Sequence, residues 1–176
     1  MKGKIKILKL SSDGREIVLE IIDSPDFFGA LAVLKDFPYP ASAQAIENCE
    51  VGRIPAKIFL EIIKKYPQLE AKMLYHVTAR LKEGIESLKN IALNDISSRI
   101  AYQLLKLAKK YGKNTPQGVL IDIRITKQQL AEMTGTTTET AIRVISKFKK
   151  MRYLSEINHN FLIKDIRALS ILFNKY

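Results

Sequence analysis

Near the N-terminus apolar and polar positions alternate with period two. Lys4-Ile5-Lys6-Ile7-Leu8 is followed by the turn residues Ser12-Asp13-Gly14 and by a second apolar run, Glu16-Ile17-Val18-Leu19-Glu20-Ile21-Ile22. This pattern predicts a β-hairpin. Two shorter strand-like segments, Ala41 to Ile46 and Glu50 to Ile54, lie between Pro25, Pro38, Pro40 and Pro55, so the first part of the chain reads as mainly β. A few strands of this kind are too little to close a barrel or roll alone.

Beyond Pro55 the period changes to that of a helix. A short helical pattern covers Ala56 to Lys65, and a long one runs from Pro67 to Ile91 with Leu74, Val77, Leu81, Ile85, Leu88 and Ile91 spaced by three, four, four, three and three. The stripe is narrow, with Lys72, Arg80, Lys82, Glu83, Glu86 and Lys89 on other faces, which is how a coiled-coil seam looks. It predicts a dimer helix, with Gly84 permitting close approach of a second backbone; packing of the same stripe on the β region is the alternative. Asp95 is placed to cap a further helix, Ile96 to Tyr111, which stops at Gly112. Gly118 to Ile125 then alternates as a strand.

The next forty residues carry the most specific signal. Thr126-Lys127-Gln128-Gln129 has the form of a capping box and opens a helix with Leu130, Ala131 and Met133, which Thr134-Gly135 ends. A second box, Thr136-Thr137-Thr138-Glu139, opens another helix whose apolar positions are Ala141, Ile142, Val144, Ile145 and Phe148. Two short helices meeting at a glycine, with small residues at the crossing, predict a helix-turn-helix. With the second helix in a major groove, Thr137, Thr138, Glu139, Thr140 and Arg143 are the candidate base contacts by position. Arg143 can bridge guanine O6 and N7. Glu139 can accept from cytosine N4, hold the arginine, or serve only as a capping carboxylate. Thr126, Lys127, Lys147, Lys149 and Lys150 are candidate phosphate contacts. Strand-like segments either side of Asn158-His159 predict a two-stranded wing, and Asp165 to Phe173 a closing helix.

Charge sharpens this picture. Of the net +11, residues 1–100 carry 15 Lys+Arg against 13 Asp+Glu, whereas residues 101–176 carry 14 against 5. A basic region concentrated on the helix-turn-helix half suits phosphate neutralisation with counterion release. A single cysteine, Cys49, excludes an internal disulfide and any cysteine-built zinc or iron–sulfur site, and no metal site is expected. His76 and His159 lie far apart, and no phosphate loop, metal-spaced cluster or nucleophile elbow is present, so an enzyme is not expected. Nor is there an aromatic cluster of the kind single-strand RNA readers use. No long apolar run or signal-peptide pattern occurs, which predicts a cytoplasmic protein without a membrane partner.

Ile125-Thr126-Lys127-Gln128-Gln129-Leu130-Ala131 followed by Gly135-Thr136-Thr137-Thr138-Glu139-Thr140-Ala141-Ile142-Arg143 resembles the helix-turn-helix of the Crp/Fnr family of bacterial transcription regulators. Gly3 through Leu19, Asp26-Phe27-Phe28-Gly29 and Ala41 to Pro55 resemble strands of that family's cyclic-nucleotide-binding-type β-roll, and Pro67 to Ile91 its dimer helix. The resemblance implies an α+β fold with a partial β-roll over 1–66, a dimerisation helix over 67–93 and a winged helix-turn-helix domain over 94–176. It also implies about fifty further residues before the point matching Met1, supplying the first strands of the roll, so the chain reads as a truncated member. Where cyclic-AMP-binding members carry a Glu and an Arg-Ser pair, Ala30, Tyr39 and Pro40 stand here. Cyclic AMP is therefore not the expected effector, since no guanidinium is left to hold its phosphate. Tyr39 to Ala45 looks more like the redox- and nitric-oxide-responsive branch, some members of which bind haem or an iron–sulfur cluster. Haem stays a candidate without ligands to support it, His76 reading rather as a surface or interface histidine, and the cofactor is unknown. Thr138 stands where the cyclic-AMP branch often has Arg, which implies a related but different operator. The resemblance implies a homodimer on double-stranded DNA, with RNA polymerase a further candidate partner. Two functions stay open: a regulator switched by an effector, and a constitutive DNA-binding protein whose β domain serves only for dimerisation.

Overall fold

A computed structural model describes residues 2–12, 14–35 and 37–173, in two compact units, residues 1–86 and 87–176. The first holds a three-stranded antiparallel sheet in the order β2-β1-β3, with β1 Lys4–Leu10, β2 Glu16–Asp23 and β3 Ser42–Ala45. The expected hairpin is there, with Asp13 of its turn outside the described residues. A bulge between Ile7 and Leu8 shifts the register from Ile7 opposite Glu20 to Leu8 opposite Val18, so both Ile7 and Leu8 are buried, together with Val18, Ile21 and Ile22.

Two expectations in this unit need correction. Asp26 to Gly29 forms no strand; it leads into a short helix, α1 Ala30–Lys35, which the strand pattern did not predict. Of Ala41 to Pro55, only Ser42–Ala45 joins the sheet, and the Glu50 to Ile54 segment contributes a single bridge between Lys2 and Glu50. Val51 and Ile54 have no strand to pair with among the described residues and are 65% and 59% exposed. Apolar alternation makes a strand only where a neighbour supplies the ladder.

Helix α2, Ala56–Lys65, follows Pro55, and α3, Gln68–Leu93, runs on for 26 residues. The stripe Leu74, Val77, Leu81, Ile85, Leu88 and Ile91 is 44–68% exposed. A Cβ added at Gly84 would meet nothing within 4 Å.

The second unit is built on α4, Ile96–Tyr111. Asp95 caps it by accepting from Ser98 N at 2.7 Å, a bond that holds the Asp95 carboxyl below its ordinary pKa. Ile100, Ala101, Leu104 and Leu107 are its buried face. Gly112 ends the helix in an extended conformation, so a strand, β4 Gly112–Thr115, starts at once; the sequence pattern had shown only the stop. A four-stranded antiparallel sheet follows in the order β4-β5-β7-β6, with β5 Gly118–Ile121, β6 Leu154–Ile157 and β7 Asn160–Ile163. Gly118, at φ +135°, lies so close to Ile163 that a Cβ would run into its carbonyl oxygen. The expected strand stops pairing at Ile121, while Ile123 and Ile125 continue into the core. Asn158 and His159 both have positive φ, as a two-residue wing turn requires.

Helices α5 Lys127–Thr134 and α6 Thr138–Lys150 are inserted between β5 and β6, and α7 Ile166–Phe173 packs on α4. The Thr126 box is complete: its Oγ1 accepts from Gln129 N at 3.0 Å and Gln129 Oε1 accepts from Thr126 N at 2.9 Å. The second cap is displaced by one residue from the expected box. Thr137, not Thr136, is the N-cap, accepting from Thr140 N at 3.2 Å. Thr136 N instead bonds back to Ala131 O, because Gly135 at φ +60° turns the chain and commits the next residue to closing α5. Thr137→Ala is expected to cost about 1 kcal/mol in urea-denaturation midpoints, with Thr136→Ala near neutral; the reverse order would restore the box at Thr136.

Candidate nucleic-acid interface

The α6 helix divides sharply into two faces. Ala141, Ile145 and Phe148 are buried, while Thr138, Glu139, Ile142, Arg143, Ser146, Lys147 and Lys150 are exposed. Three buried anchors spaced by four and three fix the rotation of the helix about its axis, so the outward row is set by the core. All five candidate base contacts, Thr137, Thr138, Glu139, Thr140 and Arg143, fall on the first two turns, with Thr140 half-buried. Ile142, one of the helix's apolar positions, is 42% exposed; about 100° of rotation from Ala141 turns it away from the core.

Within the row, Thr137 Oγ1 donates to Thr140 Oγ1 at 2.9 Å, and Arg143 Nη2 donates to the same Thr140 oxygen at 3.2 Å. Thr140 therefore holds the guanidinium, in place of the Glu139 contact weighed from spacing; no ion pair joins Glu139 to Arg143 among the described residues. Arg143 keeps most of its donor fork free for an acceptor pair, and the Glu139 carboxylate is left exposed one turn before it. This is an arrangement of one cation fork, one anion and several hydroxyls along about one and a half helical turns, the length that can face a few adjacent base pairs.

The candidate phosphate contacts flank this row. Thr126 and Lys127 open α5, and Lys147, Lys149 and Lys150 close α6. Two of the lysines share a partner that sequence spacing did not reveal: Glu156 on wing strand β6 accepts from Lys149 Nζ at 3.0 Å and lies 3.5 Å from Lys127 Nζ. Partial burial would raise the Glu156 pKa, but the Lys149 hydrogen bond and charge, with Lys127 added, outweigh it and hold it below the ordinary glutamate value. Only the tertiary fold brings residues 127, 149 and 156 together.

In the first unit, a guanidinium missed in sequence sits near the segment before α1. Arg80, on α3, pairs with Glu20 Oε1 at 3.0 Å and Asp26 Oδ2 at 2.9 Å, donates to Phe27 O at 3.1 Å, and stacks on the Phe27 ring. Two carboxylates already occupy this guanidinium. Tyr39 feels the same pair: burial raises its pKa, with Arg80 acting in the opposite sense. His76 is exposed and meets the Phe27 and Tyr75 rings edge-on, and Cys49 is a free thiol. Among the described residues no cluster of His, Cys, Asp and Glu could hold a metal ion, and no helix is long and apolar enough to cross a membrane.

A three-stranded unit leading into a long helix, followed by a winged helix-turn-helix, defines a two-domain DNA-binding regulator. Residues 1–66 match the cyclic nucleotide-binding domain family and residues 98–172 the Crp-like helix-turn-helix domain family. Together the two matches support a transcription regulator of the Crp/Fnr type. It is 29% identical over 169 residues to the cAMP-activated global transcriptional regulator CRP of Pasteurella multocida, covering 95% of this chain and 80% of the relative. It is 25% identical over 170 residues to a CRP-like cAMP-activated global transcriptional regulator of Mycobacterium tuberculosis, covering 97% and 76%. In fold it is similar to a CooA mutant from Carboxydothermus hydrogenoformans, with a TM-score of 0.86 at 24% identity over 98% of this chain and 76% of that one. It is also similar to the c-di-GMP responsive regulator CLP of Xanthomonas campestris, with a TM-score of 0.79 at 23% identity over 93% and 82%. The relatives are transcription regulators and not enzymes.

Glu156→Gln is expected to free two lysines, raising DNA affinity and steepening the fall of log K with log salt by about 0.9 per lysine that then meets a phosphate. Fluorescence anisotropy across a salt series checks this, and an unchanged slope would show that neither lysine reaches the backbone. The sign in acid follows from the depressed pKa. The ion pairs contribute stability above the ordinary glutamate value and lose it as pH falls through the lower folded value, so the variant's stability should vary less with pH across that window.

Proposed function

We propose that the chain binds a two-fold symmetric DNA operator as a homodimer in the cytoplasm, reading bases through α6, under the control of an effector other than cyclic AMP. The observation that carries the reading is the division of α6, whose buried anchors aim Thr138, Glu139 and Arg143 outward from a helix-turn-helix already flanked by lysines. Dimerisation is supported by the α3 stripe. Six apolar side chains at seam spacing stand about half exposed in a single chain, and burying what remains of each is worth about 1 kcal/mol. Two chains joined along α3 present two α6 helices, and half-sites one DNA turn apart, about 34 Å, match that symmetry.

The effector reading rests on the first unit. The guanidinium there is already neutralised by Glu20 and Asp26, so an anionic ligand would have to displace two carboxylates. Ala30, Tyr39 and Pro40 offer no replacement charge. The relatives themselves differ in the nucleotide named for them, cAMP in some and c-di-GMP in another, so descent does not choose the ligand.

Selection from a random duplex pool at fixed salt should recover an inverted repeat. Arg143→Ala is expected to relax one base position per half-site at a cost of about 1–3 kcal/mol, while Lys150→Ala weakens all sequences alike. Leu81→Glu should shift the protein to monomer in sedimentation and abolish preference for the repeat over a single half-site. Enrichment of no sequence, with equal salt slopes for all variants, would falsify base reading by α6. Titration of cyclic AMP should leave wild-type affinity unchanged.

A further inference from the structure

The outward face of α6 is polar except at one position. Ile142 has Thr138 one turn before it, Ser146 one turn after it and Arg143 beside it, and it is 42% exposed. Single exposed apolar residues are ordinary on protein surfaces, so exposure alone means little. Its place decides: Ile142 stands one turn after Glu139 and next in sequence to Arg143, flanking on one side the row that the proposed function sets against base edges. If those two residues reach the groove floor, the isoleucine beside them is brought against the neighbouring base edges and loses its water as well.

What it meets there is limited by chemistry. Every base edge in the major groove presents hydrogen-bond donors or acceptors, and the C5 methyl of thymine is the one apolar group. A cytosine amino group facing the isoleucine would be stripped of water and left without a partner, whereas a thymine methyl gains by the same desolvation. The side chain is also suited to the task. It is β-branched and nearly locked about χ1 in a helix, so its methyl groups point in one direction before DNA arrives and little rotamer freedom is lost on contact.

We propose that Ile142 is a specificity-determining residue that reads a thymine methyl in each half-site, next to the position read by Arg143. The inference rests on the base-reading role of α6. Ile142 acts by apolar contact and by excluding bases whose polar groups it cannot satisfy; it supplies no charge, so it should leave the salt dependence untouched.

The test uses the full chain and the operator obtained by selection. Each thymine of the half-site is replaced in turn by deoxyuridine, which removes only the methyl group, and affinity is measured by anisotropy at fixed salt. One thymine per half-site is expected to matter to the wild type, its replacement weakening binding about fourfold, the fold-change equivalent of burying one methyl-sized group. Ile142→Ala should bind the thymine and uridine operators equally, and selection with Ile142→Ser should lose the thymine preference at that position alone. If no methyl matters to the wild type, or if Ile142→Ala keeps the full uridine penalty, the inference is overturned. The wild-type scan needs no variant to fold. Arg143→Ala in the same assay separates the two levels: if it still relaxes a base, operator reading stands and only the role of Ile142 fails, whereas loss of both effects removes base reading by α6 itself.

Discussion

The burial of Ala141, Ile145 and Phe148 against the core of the second unit is the constraint on which the rest of the interface depends. A helix carrying a base-reading row is useful only if that row is held at one rotation, and a polar face cannot fix its own rotation in water. The core does it from the opposite side. Phe148 is nearly inaccessible, and the same core takes Leu130 and Ala131 from α5, Ile100 and Leu104 from α4, and Leu154, Phe161, Leu162 and Ile163 from the wing strands. Removing a buried aromatic of this kind costs about 3–5 kcal/mol, a large share of the stability of a small domain. Packing of this kind, not contacts within the outward row, is what makes the surface of α6 a defined array.

Polar interactions refine what packing orients. Thr137 does two things with one hydroxyl oxygen: it caps the helix by accepting from Thr140 N and it donates to the Thr140 hydroxyl, which in turn accepts from Arg143. The arginine is thus steadied by a neutral group, which leaves its charge undiminished for an anion or a guanine edge. Glu156 has the opposite effect on Lys127 and Lys149, where a carboxylate competes directly with phosphate for the same ammonium groups. One half of the surface is preorganised and the other is restrained, and the balance between base reading and backbone attraction follows from that difference.

Local periodicity made the helices legible. The ranges of α2 and α4, the Asp95 cap, the Thr126 capping box and the turn at Asn158-His159 all follow from spacing within a few residues, and the structure has them where the pattern puts them. What the pattern misplaced depends on distant neighbours. Val51 and Ile54 alternate like a strand yet have no ladder to join among the described residues; Gly112 begins a strand because β5 lies opposite it. The displaced Thr137 cap shows a subtler limit, since four consecutive positions of threonine and glutamate fit two registers, and the Gly135 turn decides between them. In the interface, positions on α6 were readable because a helix converts spacing into a face. The partners of Arg80 and Glu156 were not, because residues 54 and 60 positions from Arg80, or 29 and 7 from Glu156, are joined only by tertiary structure.

Ile142 unites these themes. By residue type it belongs with Ile145 and Phe148; by angle along the helix it does not, because it is turned about 100° from Ala141 and off the buried face. An apolar residue kept out of the core by geometry, beside a row of groups suited to base edges, gains nothing from the fold that a serine or lysine would not supply better in water. Its contribution is realised only when water leaves. In the free protein the outward row keeps an apolar flank beside Glu139 and Arg143, and in a groove that flank becomes a shape and a preference that hydrogen bonds alone cannot express.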